Sequence, residues 1–154
     1  VNIHVAAPKA LQPDEDIQVM AQKYAAESSS DILITDDIQQ AIYQTDAIYT
    51  DVWFSMGEDQ SVLEPRINQL LPYQVNKEML INTMNPDVIV LHCLPAFHDV
   101  NTQVGQQIYE TYGLTEMEIS DDVFKGEHAV IFDQSENRLH SIKAIMAVTL
   151  GDIF

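Results

Sequence analysis

Asp87-Val-Ile-Val-Leu-His-Cys-Leu-Pro-Ala96 is the stretch that decides the fold. Val88, Ile89, Val90 and Leu91 form a short, β-branched apolar run, the pattern of a parallel strand covered on both faces. His92-Cys93-Leu94-Pro95 stops it, because proline has no N–H to give a central strand. Ligands of open α/β sheets bind just beyond the carboxyl ends of the strands. The only cysteine of the chain stands at such an end.

Working outward, strands and helices alternate. Ile3 to Ala7 reads as a strand closed by Pro8. Pro13-Asp-Glu-Asp16 opens a helix whose Ile17, Met20, Ala21, Tyr24 and Ala25 recur at helical spacing. Ile32 to Ile34 is a second strand, followed by a short helix capped by Asp36 or Asp37. Ala47 to Val52 is a third strand, and Ser61 to Leu71 and Asn76 to Met84 are helices. Asp87 to Cys93 is the fourth strand. Val104 to Tyr112 is a helix stopped by Gly113. Ala129 to Phe132 reads as a fifth strand, and Leu139 to Leu150 as a last helix with Leu139, Ile142, Ile145, Met146 and Leu150 on one face. The alternation predicts a three-layer α/β/α sandwich around a mostly parallel sheet with right-handed crossovers. The architecture is Rossmann-like, yet the dinucleotide glycine fingerprint and the nucleotide phosphate loop are both missing.

The composition sets limits on function. A chain of 154 residues with 46% apolar content is a single domain with a core of its own, residues 1–154. Seven Lys and Arg against 24 Asp and Glu leave a formal charge of −17, which repels phosphate backbones and anionic lipid. Nucleic acid and membranes are therefore not expected partners. No basic head precedes the opening strand, so it does not read as a signal peptide. The strand starts without a preamble, which points to a piece of something longer. One cysteine allows no internal disulfide and fits a reducing, cytoplasmic setting.

Three strand ends carry candidate chemistry. At the third, Asp51-Val-Trp-Phe-Ser-Met-Gly-Glu58 offers a carboxylate for an ammonium group. Backbone N–H groups near Ser55 and Met56 would suit a carboxylate, as turn nests do. The same residues also read as Asp51 capping the turn and Trp53 packing in the core. At the fourth, His92 and Cys93 point to opposite faces and cannot form a dyad with each other. A cysteine hydrolase would need His98 or His140. The scattered histidines have poor spacing for zinc, and a lone cysteine also reads as a buried, inert one. A Leu94-Pro95 peptide at this position is a candidate for the cis form. At the fifth, Ser135 reads as a helix cap with Glu136 in the first turn. Arg138 would then oppose the helix dipole, unless it met a bound anion or paired with Asp133 or Glu136.

Asp51-Val-Trp-Phe-Ser-Met-Gly-Glu58, His92-Cys-Leu-Pro95 and Phe132-Asp-Gln-Ser-Glu-Asn-Arg138, in this order, resemble the ornithine carbamoyltransferase family. The resemblance continues through Pro95-Ala-Phe-His-Asp99, Glu118 to Phe124 and Arg138-Leu-His-Ser-Ile-Lys143, and covers essentially the whole chain. It implies one half of a two-domain enzyme, the half that binds ornithine. The Ser-Thr-Arg-Thr signature of the carbamoyl-phosphate domain is absent, as are the second domain's opening strand and the helix after it. An opening in the sheet, flanked by exposed apolar residues, is therefore expected.

The resemblance also implies the chemistry. Carbamoyl would pass from carbamoyl phosphate to the δ-amine of ornithine, giving citrulline and phosphate, a step of arginine metabolism. Asp51 is implied to bind the α-ammonium of ornithine, and Ser55 and Met56 its carboxylate. Cys93 and Leu94 are implied to lie at the carbamoyl group, and Arg138 at carbamoyl phosphate. No metal or cofactor is implied. The expected partners are the chain's own N-terminal domain and further copies in a homotrimer or a multiple of it. The competing reading is a noncatalytic amino-acid-binding or regulatory domain on the same fold.

Overall fold

Four short strands organise the computed structural model, which describes residues 1–54 and 58–151. Strand β1, Ile3–Ala6, pairs in parallel with β2, Ile32–Thr35. Strand β3, Ala47–Thr50, pairs in parallel with β4, Ile89–His92. Helix α1, Glu15–Ser28, connects β1 to β2, and α2, Ile38–Ile42, connects β2 to β3. Two helices, α3 at Leu63–Leu70 and α4 at Lys77–Asn82, lie between β3 and β4. After β4 come α5, Gln103–Tyr112, α6, Asp121–Phe124, and α7, Ile131–Leu150. The class is the expected one, α/β with parallel strands.

The helix starts follow from side chains that accept orphan N–H groups. Asp37, rather than Asp36, caps α2 by accepting from the Gln40 N–H. Asn76 caps α4 and Thr102 caps α5 in the same way. Helix α5 ends at Gly113, whose φ of +71° is the left-handed conformation glycine tolerates best.

Two expectations are corrected here. The fifth strand shrinks to one parallel bridge, Val90 to Ala129. The Val90 N–H donates to the His128 carbonyl at 2.8 Å, and the Val130 N–H donates to the Val90 carbonyl at 3.0 Å. Helix α7 then begins at Ile131, whose side chain is buried in the main core. The β-branched run at Val130 and Ile131 looked like a strand, but burial serves a helix start equally well. Ser135 is consequently not a cap; it lies in the second turn of α7, and Val130 holds the cap position.

The sheet is not continuous. Among the described residues β1–β2 and β3–β4 are separate pairs. Between β1 and β3 lies a cleft of about 550 Å³ lined by residues of both strands. Ile3 on one side and Tyr49 on the other are more than half exposed. This is the expected opening beside apolar residues. It also leaves two edges without a strand partner.

The main core joins Val88 and Val90 of the β4 region to Val75, Leu80, Ile119 and Ile131. A second cluster packs Trp53 against Ile67, Ile108 and Met117. Helix faces read as inward from periodicity are not all buried. Ile17, Met20 and Tyr24 of α1, and Leu139, Ile142, Ile145, Met146 and Leu150 of α7, are exposed. Their stripes are present in the sequence, but no described element covers them.

Candidate active site

The register of β3 on β4 builds the site. Thr50 stands opposite His92, so Asp51 and Cys93, the next residues of each strand, leave the sheet side by side. The Cys93 thiol donates to Asp51 Oδ1 at 2.8 Å, and the same oxygen accepts from the Val52 N–H at 2.7 Å. Asp51 Oδ2 has no hydrogen bond within the described residues, and the side chain is exposed. Burial first, and the Asp51 carboxylate second, push the Cys93 thiol above its ordinary value. The group is a neutral thiol, not the thiolate a nucleophilic cysteine needs.

The histidines do not convert it into a hydrolase. His92 points into the core and is buried, as strand alternation requires. His98 gives its ring to Asp121 at 2.7 Å and stacks on Phe124. His140 lies exposed on α7. None of them hydrogen-bonds Cys93 among the described residues. His98, Asp99 and Asp121 bring three potential metal ligands together, but the Lys125 ammonium already sits on Asp121 at 2.8 Å. That cluster reads as an ion-pair group.

Beyond Cys93 the chain turns sharply. Leu94 has φ of +49° and the Leu94–Pro95 peptide is cis, as the sequence allowed. The Leu94 N–H donates to His92 Nδ1 at 2.9 Å. His92 Nε2 lies 3.1 Å from Glu118 Oε1, and the Phe97 N–H donates to that same oxygen at 2.6 Å. Both side chains are fully buried, and Glu118 Oε2 has no hydrogen-bond partner among the described residues.

Residue-by-residue reading missed the role of Glu118. An acid between the apolar Met117 and Ile119 is the signal that could have found it, since carboxylates are rarely buried without a partner. Met117, Glu118 and Ile119 are all 1% exposed or less. The run is held by the bridge from Ile119 to Val75, with the Val75 N–H donating to the Glu118 carbonyl at 2.9 Å.

Helix α7 is tied to this corner by Gln134. Its Oε1 accepts from the His92 N–H at 3.1 Å, and its Nε2 donates to the Tyr49 hydroxyl at 3.2 Å. Arg138 follows one turn later on the same helix face. It does not sit at a strand end or at a helix N-terminus, as expected, but two turns into α7. Among the described residues it makes no hydrogen bond or ion pair with Asp51 or Cys93. The expected alternative pairing with Asp133 or Glu136 does not occur among the described residues, and Arg138 is exposed. Its guanidinium is open to an external anion.

Ser55 and Met56 lie outside the described residues. The described residues Trp53 and Glu58 are both held by Arg66. Arg66 donates to the Trp53 carbonyl at 3.1 Å and holds Glu58 through two nitrogens, at 3.1 and 3.4 Å.

Residues 1–149 match the family described as aspartate/ornithine carbamoyltransferase, Asp/Orn binding domain. An ornithine carbamoyltransferase of Staphylococcus aureus is 51% identical over 152 residues, which are 99% of this chain and 46% of that protein. A catabolic ornithine carbamoyltransferase of the same species is 54% identical over 151 residues, 98% of this chain and 45% of that protein. Among solved structures, ornithine carbamoyltransferase from Pyrococcus furiosus superposes with a TM-score of 0.80 at 36% identity, over 100% of this chain and 43% of that one. The anabolic enzyme of Campylobacter jejuni gives a TM-score of 0.76 at 30% identity, over 96% of this chain and 42% of that one. The chain thus spans less than half the length of these relatives. The chain belongs to the aspartate/ornithine carbamoyltransferase family and corresponds to its Asp/Orn-binding domain.

Proposed function

We propose that this chain supplies the ornithine-binding half of a cytoplasmic enzyme that carbamoylates ornithine. The observation that carries the reading is the Asp51–Cys93 pair at the adjoining ends of β3 and β4. An open carboxylate oxygen beside a neutral thiol suits a cationic amino group next to an uncharged reacting centre. Asp51 gives the site a negative charge, which favours ornithine, net cationic, over aspartate, net anionic, of the family's two amino acids.

In this reading Asp51 binds the α-ammonium of ornithine, and Ser55 and Met56 receive its carboxylate. The neutral δ-amine attacks the carbamoyl carbon, and the tetrahedral intermediate collapses by breaking the bond to the phosphate oxygen. The amine proton leaves with phosphate, and citrulline remains. Cys93 and the Leu94 carbonyl face the carbamoyl amide, and Arg138 neutralises charge on carbamoyl phosphate. Positioning and electrostatic stabilisation supply the rate. The N-terminal carbamoyl-phosphate domain completes the site, in a homotrimer or a multiple of it.

The test is citrulline formation from ornithine and carbamoyl phosphate, by this chain alone and by the chain joined to a carbamoyl-phosphate domain. Turnover is expected only from the joined protein. Comparable turnover by the lone chain would overturn the half-site reading. Ornithine binding without turnover in the joined protein would favour the noncatalytic amino-acid-binding domain.

A further inference from the structure

We propose that Gln134 is a positioning residue, tying the first turn of α7 to the ends of β3 and β4 and so setting where Arg138 meets its anion. The inference rests on the carbamoyl-transfer reading, because that anion is the carbamoyl phosphate assigned to Arg138.

Gln134 completes a ladder that the backbone leaves unfinished. On the edge of β4 away from β3, the Val90 N–H donates to the His128 carbonyl and the Val90 carbonyl accepts from the Val130 N–H. One step further, a continuing parallel ladder would pair the His92 N–H with the Val130 carbonyl. That carbonyl is already taken by the helix, accepting from the Gln134 N–H at 2.9 Å. Gln134 Oε1 stands in for it and accepts from the His92 N–H at 3.1 Å. A backbone N–H can only donate, so its partner is the amide oxygen, which leaves the amide nitrogen to donate to the Tyr49 hydroxyl at 3.2 Å. One carboxamide thus bonds both strands. His92 directly precedes Cys93, and Tyr49 stands two residues before Asp51.

The rest of α7 has little else to orient it. Among the described residues, no side chain of α7 beyond Gln134 hydrogen-bonds or ion-pairs with another element; Ser141 and Thr149 bond only to their own helix. Leu139, Ile142 and Ile145 are exposed. Before Gln134, Ile131 is buried and Phe132 lies edge-on to Phe124. The two bonds of Gln134 therefore fix the tilt of the helix about Ile131. With a rise of about 1.5 Å per residue, Arg138 stands about 10 Å along the axis from Ile131, so a tilt of about 10° carries it about 2 Å. A misplacement of about 1 Å is already enough to disable a positioned group.

The experiment compares Gln134→Leu, Tyr49→Phe and Gln134→Leu combined with Arg138→Ala in the chain joined to its carbamoyl-phosphate domain, each assayed below its melting temperature and per folded molecule. Gln134→Leu keeps the bulk and removes both bonds. It is expected to raise the carbamoyl-phosphate KM about tenfold and to leave the ornithine KM within about twofold, because Asp51 keeps its own strand. Tyr49→Phe, at an exposed position, removes only the second bond and should raise the carbamoyl-phosphate KM by about threefold. Calorimetric affinity for carbamoyl phosphate, which needs no turnover, reads the double variant. In the Arg138→Ala background Gln134→Leu should add less than about a twofold loss, since a group acting through Arg138 has nothing left to place. Amide hydrogen exchange at His92 should be faster in Gln134→Leu than in the wild type.

A wild-type carbamoyl-phosphate KM in folded Gln134→Leu, or in Tyr49→Phe should the first variant not fold, overturns the inference. Full additivity of the Gln134→Leu and Arg138→Ala losses overturns it as well, because a loss of general structure would add to the loss of Arg138. Absence of citrulline formation by the wild-type joined protein instead overturns the functional reading. The exchange comparison then decides the tie by itself: faster His92 exchange in Gln134→Leu sustains it, and unchanged exchange overturns it.

Discussion

Cys93 Sγ lies 2.8 Å from Asp51 Oδ1 across 42 residues of chain. The parallel register explains it, since each residue directly follows the paired Thr50 and His92. Neighbouring strands run about 4.8 Å apart, within side-chain reach. A carboxylate and a thiol are thereby placed together with no helix or loop in between.

Asp51 is the substrate-facing member of the pair in the proposed function. In the joined enzyme Asp51→Asn removes a charge-assisted hydrogen bond to the ammonium, a loss of about 1.5–3 kcal/mol. The ornithine KM should rise by about tenfold to a hundredfold, and the carbamoyl-phosphate KM should change far less. Steady-state kinetics with each substrate varied in turn measures this, and an unchanged ornithine dependence removes Asp51 from the binding site.

Cys93 has its thiol value raised by burial first and by Asp51 second. The folded value exceeds the unfolded one, so folding favours the neutral thiol. Its contribution to stability is full at neutral pH and declines as pH rises through the thiol range. Iodoacetamide at pH 8 should therefore label Cys93 more slowly than a free cysteine. Asp51→Asn should speed labelling without reaching the free rate, because Cys93, though exposed, keeps its partial desolvation. Equal rates in the wild type and the variant would show that Asp51 does not govern the thiol.

Arg138 has no ion-pair partner among the described residues, so its removal costs the fold little. Arg138→Ala should change unfolding free energy by less than about 0.5 kcal/mol. In the joined enzyme Arg138→Lys should still weaken carbamoyl phosphate, since the planar, two-pronged guanidinium is lost. Urea unfolding and carbamoyl-phosphate kinetics form the two arms. Wild-type dependence on carbamoyl phosphate in Arg138→Lys would end the assignment.

Ile131 and Leu139 test where α7 meets the core. Ile131 is 1% exposed and packs in the main core, so Ile131→Ala should cost about 2–5 kcal/mol. Leu139 is 65% exposed, and Leu139→Ala should cost this chain no more than about 0.5 kcal/mol. Chemical denaturation of the two variants checks the contrast. A larger loss at Leu139 would place the buried face of α7 elsewhere.

The sequence by itself determined the alternation of strands and helices, the parallel class, the stop at Leu94-Pro95 and the placing of Asp51 and Cys93 at strand ends. All of these follow from local rules: side-chain periodicity, caps and the missing N–H of proline. Only the tertiary structure decided the rest, because each remaining point depends on what packs against what. Ala129 to Phe132 has the residues of a strand, yet its ladder ends after one bridge and Ile131 starts a helix. The apolar stripes of α1 and α7 are legible, but no periodicity says whether a neighbour covers them. Arg138 stands in a stretch that reads as a helix start, yet it lies two turns into α7, one turn beyond the Gln134 that bonds the His92 N–H. Glu118 is an acid in an apolar run until folding brings it to His92 and Phe97, 26 and 21 residues away along the chain. Hydrogen bonds over that separation are set by the packing of whole elements, which local sequence does not encode.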